Sequence, residues 1–259
     1  NGVKFLKNCP IEISLILEIN SLLPNKIRPV LTALVVISLG AHAYLSLIYS
    51  PKDEIQGDAV RLLYLHVPAA WLAYVSFAVT TLCSVLYLIP KTRSNVYDIL
   101  AGASAKAGII FCSLTLILGA LWGKPIWGVF WAWDARITST TILLFLYIGY
   151  VAIRTLARDE KSRKRNAYVA LFAFVDVPVV HFSVSWWRTL HQEGTVFSEA
   201  KQANIEGSMA AALLVGVVAF TLLFIYMLDR QFIKDLQNED ILDKGLDDAI
   251  KLRKEEAMK

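Results

Sequence analysis

GASAKAGIIFCSLTLILGAL, residues 102–121, runs straight into WGKPIWGVFWAWDAR, residues 122–136. In the first stretch Lys106 is the only charge, and its length matches the roughly 20 residues that a helix needs to cross a bilayer. The second stretch carries Trp122, Trp127, Trp131 and Trp133 with Phe130, and ends in the pair Asp134 and Arg136. Tryptophan collects at membrane–water interfaces, where an apolar ring and a polar N–H suit the headgroup layer. An interfacial anchor uses one or two such rings. Four within one connection point to a platform for a large flat ligand.

Reading outward from this junction, the chain repeats the apolar run. The 259 residues are 56% hydrophobic, with mean hydropathy +0.51, well above an ordinary soluble domain. Six runs are long enough to span: Val30–Tyr49, Pro68–Ile89, Gly102–Leu121, Ile137–Leu156, Ala167–Val184 and Ser208–Leu228. Asp176 and Pro178 make the fifth the weakest. The expected fold is an all-α integral membrane protein: a six-helix bundle with a Trp-rich outer-face loop between the third and fourth helices, because segments in lipid must satisfy their backbone internally. Three regions follow: an N-terminal arm over 1–29, a membrane domain over 30–228, and a charged tail over 229–259 read as a solvated helix. Cys9, Cys83 and Cys112 are odd in number and form no C-x-x-C pair, so neither a disulfide framework nor a thiolate metal site is indicated.

Orientation follows from basic residues in the short connections. Lys4, Lys7, Lys26, Arg28, Lys91, Arg93, Lys106, Arg154, Arg158, Lys161, Arg163, Lys164 and Arg165 fall on one side, thirteen against six on the other (Lys52, Arg61, Lys124, Arg136, Arg188 and Lys201). Both termini are therefore expected in the cytoplasm or matrix and the Trp-rich loop on the outer face. The +4 formal charge reflects this asymmetry and calls for no nucleic-acid partner. The first 28 residues show no cleaved-signal pattern.

Topology sorts the four histidines. His66, at the outer end of the second run, and His181, near the outer end of the fifth, are expected at similar depth beside the Trp-rich loop. Ionisable groups at membrane depth are functional candidates by default. His191 lies further into an outer loop and reads as solvated or hydrogen-bonded. His42, inside the first run, reads as a packing histidine bonded to a neighbouring helix. Zinc gains nothing from tryptophans. Haem accepts two axial imidazoles and needs an apolar aromatic floor, and Arg61, Arg136 and Arg188 are placed for its propionates, since a guanidinium fork matches a carboxylate. Trp127, Phe130, Trp131 and Asp134 stand at i, i+3, i+4 and i+7, so a helical turn would align them. Asp134 could equally cap the fourth helix.

The words WGVFWAWD (127–134), YLHVPAA (64–70), WGKP (122–125), WDAR (133–136) and HFSVSWWRTLHQ (181–192) resemble the tryptophan-rich WWD haem-handling proteins, and in particular the cytochrome c maturation protein C (haem exporter protein C) family. The resemblance covers roughly residues 30–230. It implies a non-enzymatic role in a bacterial inner membrane, or a mitochondrial one if organellar. His66 and His181 would be axial ligands of haem b (protoporphyrin IX iron) held as transient cargo, with the Trp-rich loop as its platform. The implied partners are a periplasmic haem chaperone, ATP-binding-cassette (ABC) transporter subunits and a small accessory membrane subunit. Two other readings remain at this point: a haem-b electron-transfer subunit, which usually holds haem well inside the bundle, and a secondary transporter, which calls for an ionisable path and paired half-helices. Asp176, the only carboxylate within a run, gives the latter thin support and reads better as a packing residue or a support for His181.

Overall fold

A computed structural model describes residues 22–191 and 206–257 of the chain. Among the described residues 83% are helical and none lies in a strand, and six helical segments are long and apolar enough to cross a membrane. The fold is thus the expected six-helix integral membrane bundle. In chain order the helices are α1 (Ile27–Tyr44), α2 (Leu63–Leu88), α3 (Asn95–Trp127), α4 (Ala135–Arg154), α5 (Glu160–Phe174), α6 (Asp176–Trp186) and α7 (Gly207–Ala257). The fifth crossing is the pair α5–α6, interrupted at Val175 just before Asp176. Pro178 follows two residues later, and an early helical position tolerates its missing N–H.

α2 and α3 pack together most extensively. The reason is compositional: Ala101, Gly102, Ala103, Ser104, Ala105, Ala107 and Gly108 line the buried side of α3. Small residues let helix backbones approach closely where lipid offers no hydrophobic drive between helices. Phe77 fills the room so made and stacks on Tyr147 of α4, centroids 3.7 Å apart. Polar side chains in this interior are satisfied locally. Ser76 and Thr80 donate to carbonyls one turn back, and Ser104 donates across to Ser76 O at 2.7 Å. His42 contacts the Ala212 carbonyl of α7 through Nδ1 at 3.3 Å, the bond to a neighbouring helix anticipated for it.

Two helix boundaries depart from expectation. α3 continues through Pro125 to Trp127 and stops at Gly128, whose φ of 77° is left-handed, a conformation that glycine adopts without Cβ strain. Residues 129–134 are therefore not helical, and the expected alignment of Trp127, Phe130, Trp131 and Asp134 on one turn does not form. α7, 51 residues long, runs unbroken past residue 229, so the boundary placed there has no counterpart in the backbone. Nor is the start of the tail solvated: Phe232 and Asp229 are buried. Asp229 pairs with Arg28, Asp235 with Lys106 and Glu239 with Arg163. These pairs hold α7 against the basic end of the bundle, opposite the tryptophans.

Candidate functional site

At the tryptophan end, α2, α3 and α4 splay apart around a cavity. His66, Ala70, Ala73 and Tyr74 wall it from α2, and Cys112, Thr115, Leu116, Gly119 and Trp127 from α3. Phe130, Trp131, Arg136, Ile137, Thr140, Leu143 and His191 complete it. Most of this lining is apolar or aromatic.

His66 enters on the second turn of α2, behind a short 3-10 turn over Asp58–Leu62. The start of α2 is fixed by Tyr64, which is buried and hydrogen-bonded to Ser50. Trp122 meets the His66 ring edge-on at 5.8 Å and donates its Nε1–H to Gln56 Oε1 at 2.9 Å, so the first loop braces the histidine from behind. Clearance comes from α3. A Cβ on Gly119 would stand 3.1 Å from His66 Cε1, and one on Gly123 would stand 2.8 Å from the Trp127 ring. His66 Nδ1 is buried without a hydrogen-bond partner. A buried polar atom left unpaired costs free energy, and this one belongs to an imidazole, a ring able to ligate a metal, at the edge of a cavity.

The imidazole facing His66 is His191, not His181. The His66 and His191 ring centroids lie 6.3 Å apart, tilted by 36°, and Trp127 stands 6.4 Å from His191. The pairing of His66 with His181, expected from their depth beside the tryptophans and from the family resemblance, is not among the ring contacts of the described residues. His181 is exposed, and its ring packs edge-on against Tyr74 and Phe182 at 6.3 and 4.9 Å. Its contribution to the site is its backbone carbonyl, which accepts from Arg136 Nη2 at 3.1 Å. His191 is brought in by Asp134. One carboxylate oxygen of Asp134 caps α4 by accepting from Ile137 N at 2.8 Å, and the other accepts from Leu190 N at 2.9 Å. Both roles considered for Asp134, cap and loop anchor, are filled by one side chain. A signal was present in the sequence: His191 closes the same tryptophan-rich word that His181 opens. Nothing local, however, reveals the return of that loop onto Asp134.

The three arginines separate as well. Arg136 lines the cavity, steadied by Ser183 Oγ at 2.9 Å. Arg61 is committed elsewhere: it pairs with Asp58 and donates to the Ser46 and Ser50 carbonyls at the end of the first crossing. Arg188 is exposed and outside the cavity. Of the aromatic platform, Trp127, Phe130 and Trp131 face the cavity and Trp122 flanks it through His66. Trp133 is 74% exposed and touches the site through its edge-on contact with Trp131 at 5.3 Å. Lys124, read in the sequence for its charge and its place in WGKP, bonds Gly128 O and lies 5.3 Å from the centre of the Phe130 ring.

Residues 18–243 match the family model described as heme exporter protein C. Among curated proteins, the chain is 37% identical to a heme exporter protein C of Bradyrhizobium diazoefficiens over 204 residues, 78% of this chain and 76% of that one. It is 32% identical to that of Haemophilus influenzae over 220 residues, covering 83% and 87% of the two chains. A ccmC-like mitochondrial cytochrome c biosynthesis protein of Marchantia polymorpha is 38% identical over 153 residues, 59% of this chain and 64% of that one. A family match across most of the chain, carried by a six-helix bundle with its tryptophans and histidines gathered at one end, makes this protein a member of the heme exporter protein C family.

Proposed function

We propose that this protein holds haem b as cargo at the outer face of the membrane, between His66 and His191, and presents it to a haem chaperone for c-type cytochrome maturation. The coarser role, haem handling for cytochrome c maturation, comes with the family. The observation that carries the finer one is the histidine pair. A metal between two imidazoles needs bonds of about 2 Å on each side, plus roughly 1 Å from each nitrogen to its ring centre, and the two centroids stand 6.3 Å apart.

Haem supplies an iron with two axial positions and two propionates; every other part of the task falls to the chain. His66 offers a nitrogen with no other partner, braced by Trp122 and Gln56. His191 offers the second, held by the Asp134–Leu190 bond. Trp127, Phe130 and Trp131 exclude water from the macrocycle's faces and edge, and Arg136 matches a propionate by its fork. The exposed Trp133 and the loop over 186–190 form the rim toward the chaperone. The excess of Lys and Arg at the opposite end supports cytoplasmic termini and an outer tryptophan end. An ABC transporter pair and a small accessory membrane subunit would complete the assembly. No turnover by this chain alone is implied.

The test is the visible spectrum of the purified full chain. The parent is expected to carry low-spin, six-coordinate haem. His66→Ala and His191→Ala should each give five-coordinate or weakly loaded haem, while His181→Ala should keep the parent spectrum. Loss of the six-coordinate signal in His181→Ala with its retention in His191→Ala would return the second ligand to His181. A parent that binds haem but delivers none to a chaperone, with its partners present, favours the electron-transfer reading.

A further inference from the structure

We propose that the lipid-facing side of α5 at the basic end is a seat for the headgroup of one acidic phospholipid. The proposal does not rest on the haem reading.

Lys161, Arg165, Tyr168 and Phe172 recur every three or four residues along α5, all exposed, and together with Lys164 and Val169 they line one shallow groove. The order along the helix is that of a phospholipid: two cations, a phenol, then rings without polar atoms. From Lys161 to Phe172 the helix rises about 16 Å, enough to pass from the phosphate to the upper acyl chain. Tyr168 is 62% exposed and Phe172 70%, so the aromatic rings are free to face lipid rather than the bundle.

Of the cations at this end without a carboxylate partner among the described residues (including Lys26, Lys91, Arg158, Lys161 and Arg165), Lys161 and Arg165 are the two that line the groove with Tyr168 and Phe172. Arg154, Arg163 and Lys106 are each matched to carboxylates of the bundle or of α7. The one acid of the groove, Glu160, is engaged by Lys164 at 2.6 Å and by Arg93 at 3.2 Å. Lys161 and Arg165 have no carboxylate partner among the described residues. Orientation by basic loops requires only that cations lie on this side. It does not require two of them to stand unmatched one turn apart directly above an exposed tyrosine. That arrangement fits a phosphate held by two donors, with the Tyr168 hydroxyl within reach of the glycerol region.

The experiment is native mass spectrometry of the purified full chain, equilibrated in detergent with equal amounts of phosphatidylglycerol and phosphatidylcholine. The parent should retain one phosphatidylglycerol in preference to phosphatidylcholine. The double variant Lys161→Gln/Arg165→Gln should bind it about thirtyfold more weakly, the effect of two basic residues at a membrane surface. Lys251→Gln/Lys254→Gln, at the far end of α7, should behave as the parent. The single variant Lys161→Gln, at an exposed position, should fall between parent and double variant and guards against a folding artefact. Equal retention of the two lipids by the parent, or an unchanged double variant, overturns the seat. Inorganic phosphate bound by the delipidated protein as tightly as the lipid would make it a free-anion site and overturn it too.

Discussion

At the basic end, Asp98 is 4% exposed and accepts from Arg154 Nη1 at 2.7 Å, Arg154 Nη2 at 2.9 Å and Arg163 Nη1 at 2.6 Å. At the tryptophan end, His66 Nδ1 is equally out of reach of water and accepts or donates nothing. The two regions belong to the same helices, for α2, α3 and α4 each run from one to the other. Their polar groups nevertheless stand in opposite relations to their surroundings. Asp98 ties α3 to α4 and α5, and Arg163 passes the tie to Glu239 of α7. Around Asp98 this end is closed, and the carboxylate and its two guanidinium partners are spent on one another. The other end is open, its aromatic rings are only partly covered, and the buried His66 Nδ1 is unspent. A satisfied network holds a structure; an unsatisfied one at a cavity is set for a ligand.

The sharpest way to break this comparison is to unbalance the closed end. Asp98→Ala leaves the Arg154 guanidinium without a carboxylate and Arg163 with Glu239 alone, a class of change that costs about 3–5 kcal/mol. Thermal unfolding in detergent should show a large loss of stability or a failure to accumulate in membranes. His66→Ala should lose haem and leave unfolding nearly unchanged. If the two variants exchanged behaviours, the division of labour between the ends would be mistaken.

A smaller effect is expected from Gly123→Ala. The new Cβ would meet the Trp127 ring at 2.8 Å, and overpacking of this kind costs about 1–3 kcal/mol. Because Trp127 and not the backbone must yield, haem retention should fall more than stability does. Ala at Gly149, which meets nothing within 4 Å, is the control and should behave as the parent in both measurements.

Asp134→Ala should cost about 1 kcal/mol of stability, the usual worth of a helix N-cap. Its diagnostic consequence is optical. With the Leu190 tether removed, the second axial position should exchange with added imidazole faster than in the parent, while the His66 bond persists. An imidazole exchange rate equal to the parent's would separate Asp134 from His191.

Arg136→Ala is expected to be the mildest in the spectrum. Iron ligation belongs to the imidazoles, so the Soret band should match the parent while haem is released faster and chaperone loading falls a few fold. Chaperone loading in membranes, at equal protein, measures it. Normal loading would remove Arg136 from the site and leave the cavity's mouth without a cation.

How much of this was legible beforehand depends on the range of the interaction concerned. The spans were legible because apolar length is a property of contiguous residues, and the interruption at Val175 falls where Asp176 and Pro178 had marked the fifth run as weak. His66, the Trp-rich loop and Arg136 were legible because each stands within a few residues of the others or at the end of a countable span. The error over the 127–134 stretch was local: the spacing suits a helix, but Gly128 ends one and Asp134 begins another, leaving no room for a turn between. The tail misled for a different reason. Asp229, Asp235 and Glu239 look like a solvated charge pattern from within their own helix, and their partners lie on α1, α3 and α5.

The sequence by itself determined the class of molecule, its six crossings, the end at which its chemistry is gathered, and the family resemblance that the match over residues 18–243 bears out. These rest on hydropathy, basic-residue bias and contiguous words, all readable along the chain. Only the tertiary structure decided which histidine faces His66, which arginine borders the cavity, and that α7 is docked rather than free. Each of those is set by contacts between residues far apart in sequence, such as the 56 positions separating Asp134 from Leu190. A hydrogen bond of that span leaves no periodic trace, because what forms it is the return of a loop and not the repeat of a helix.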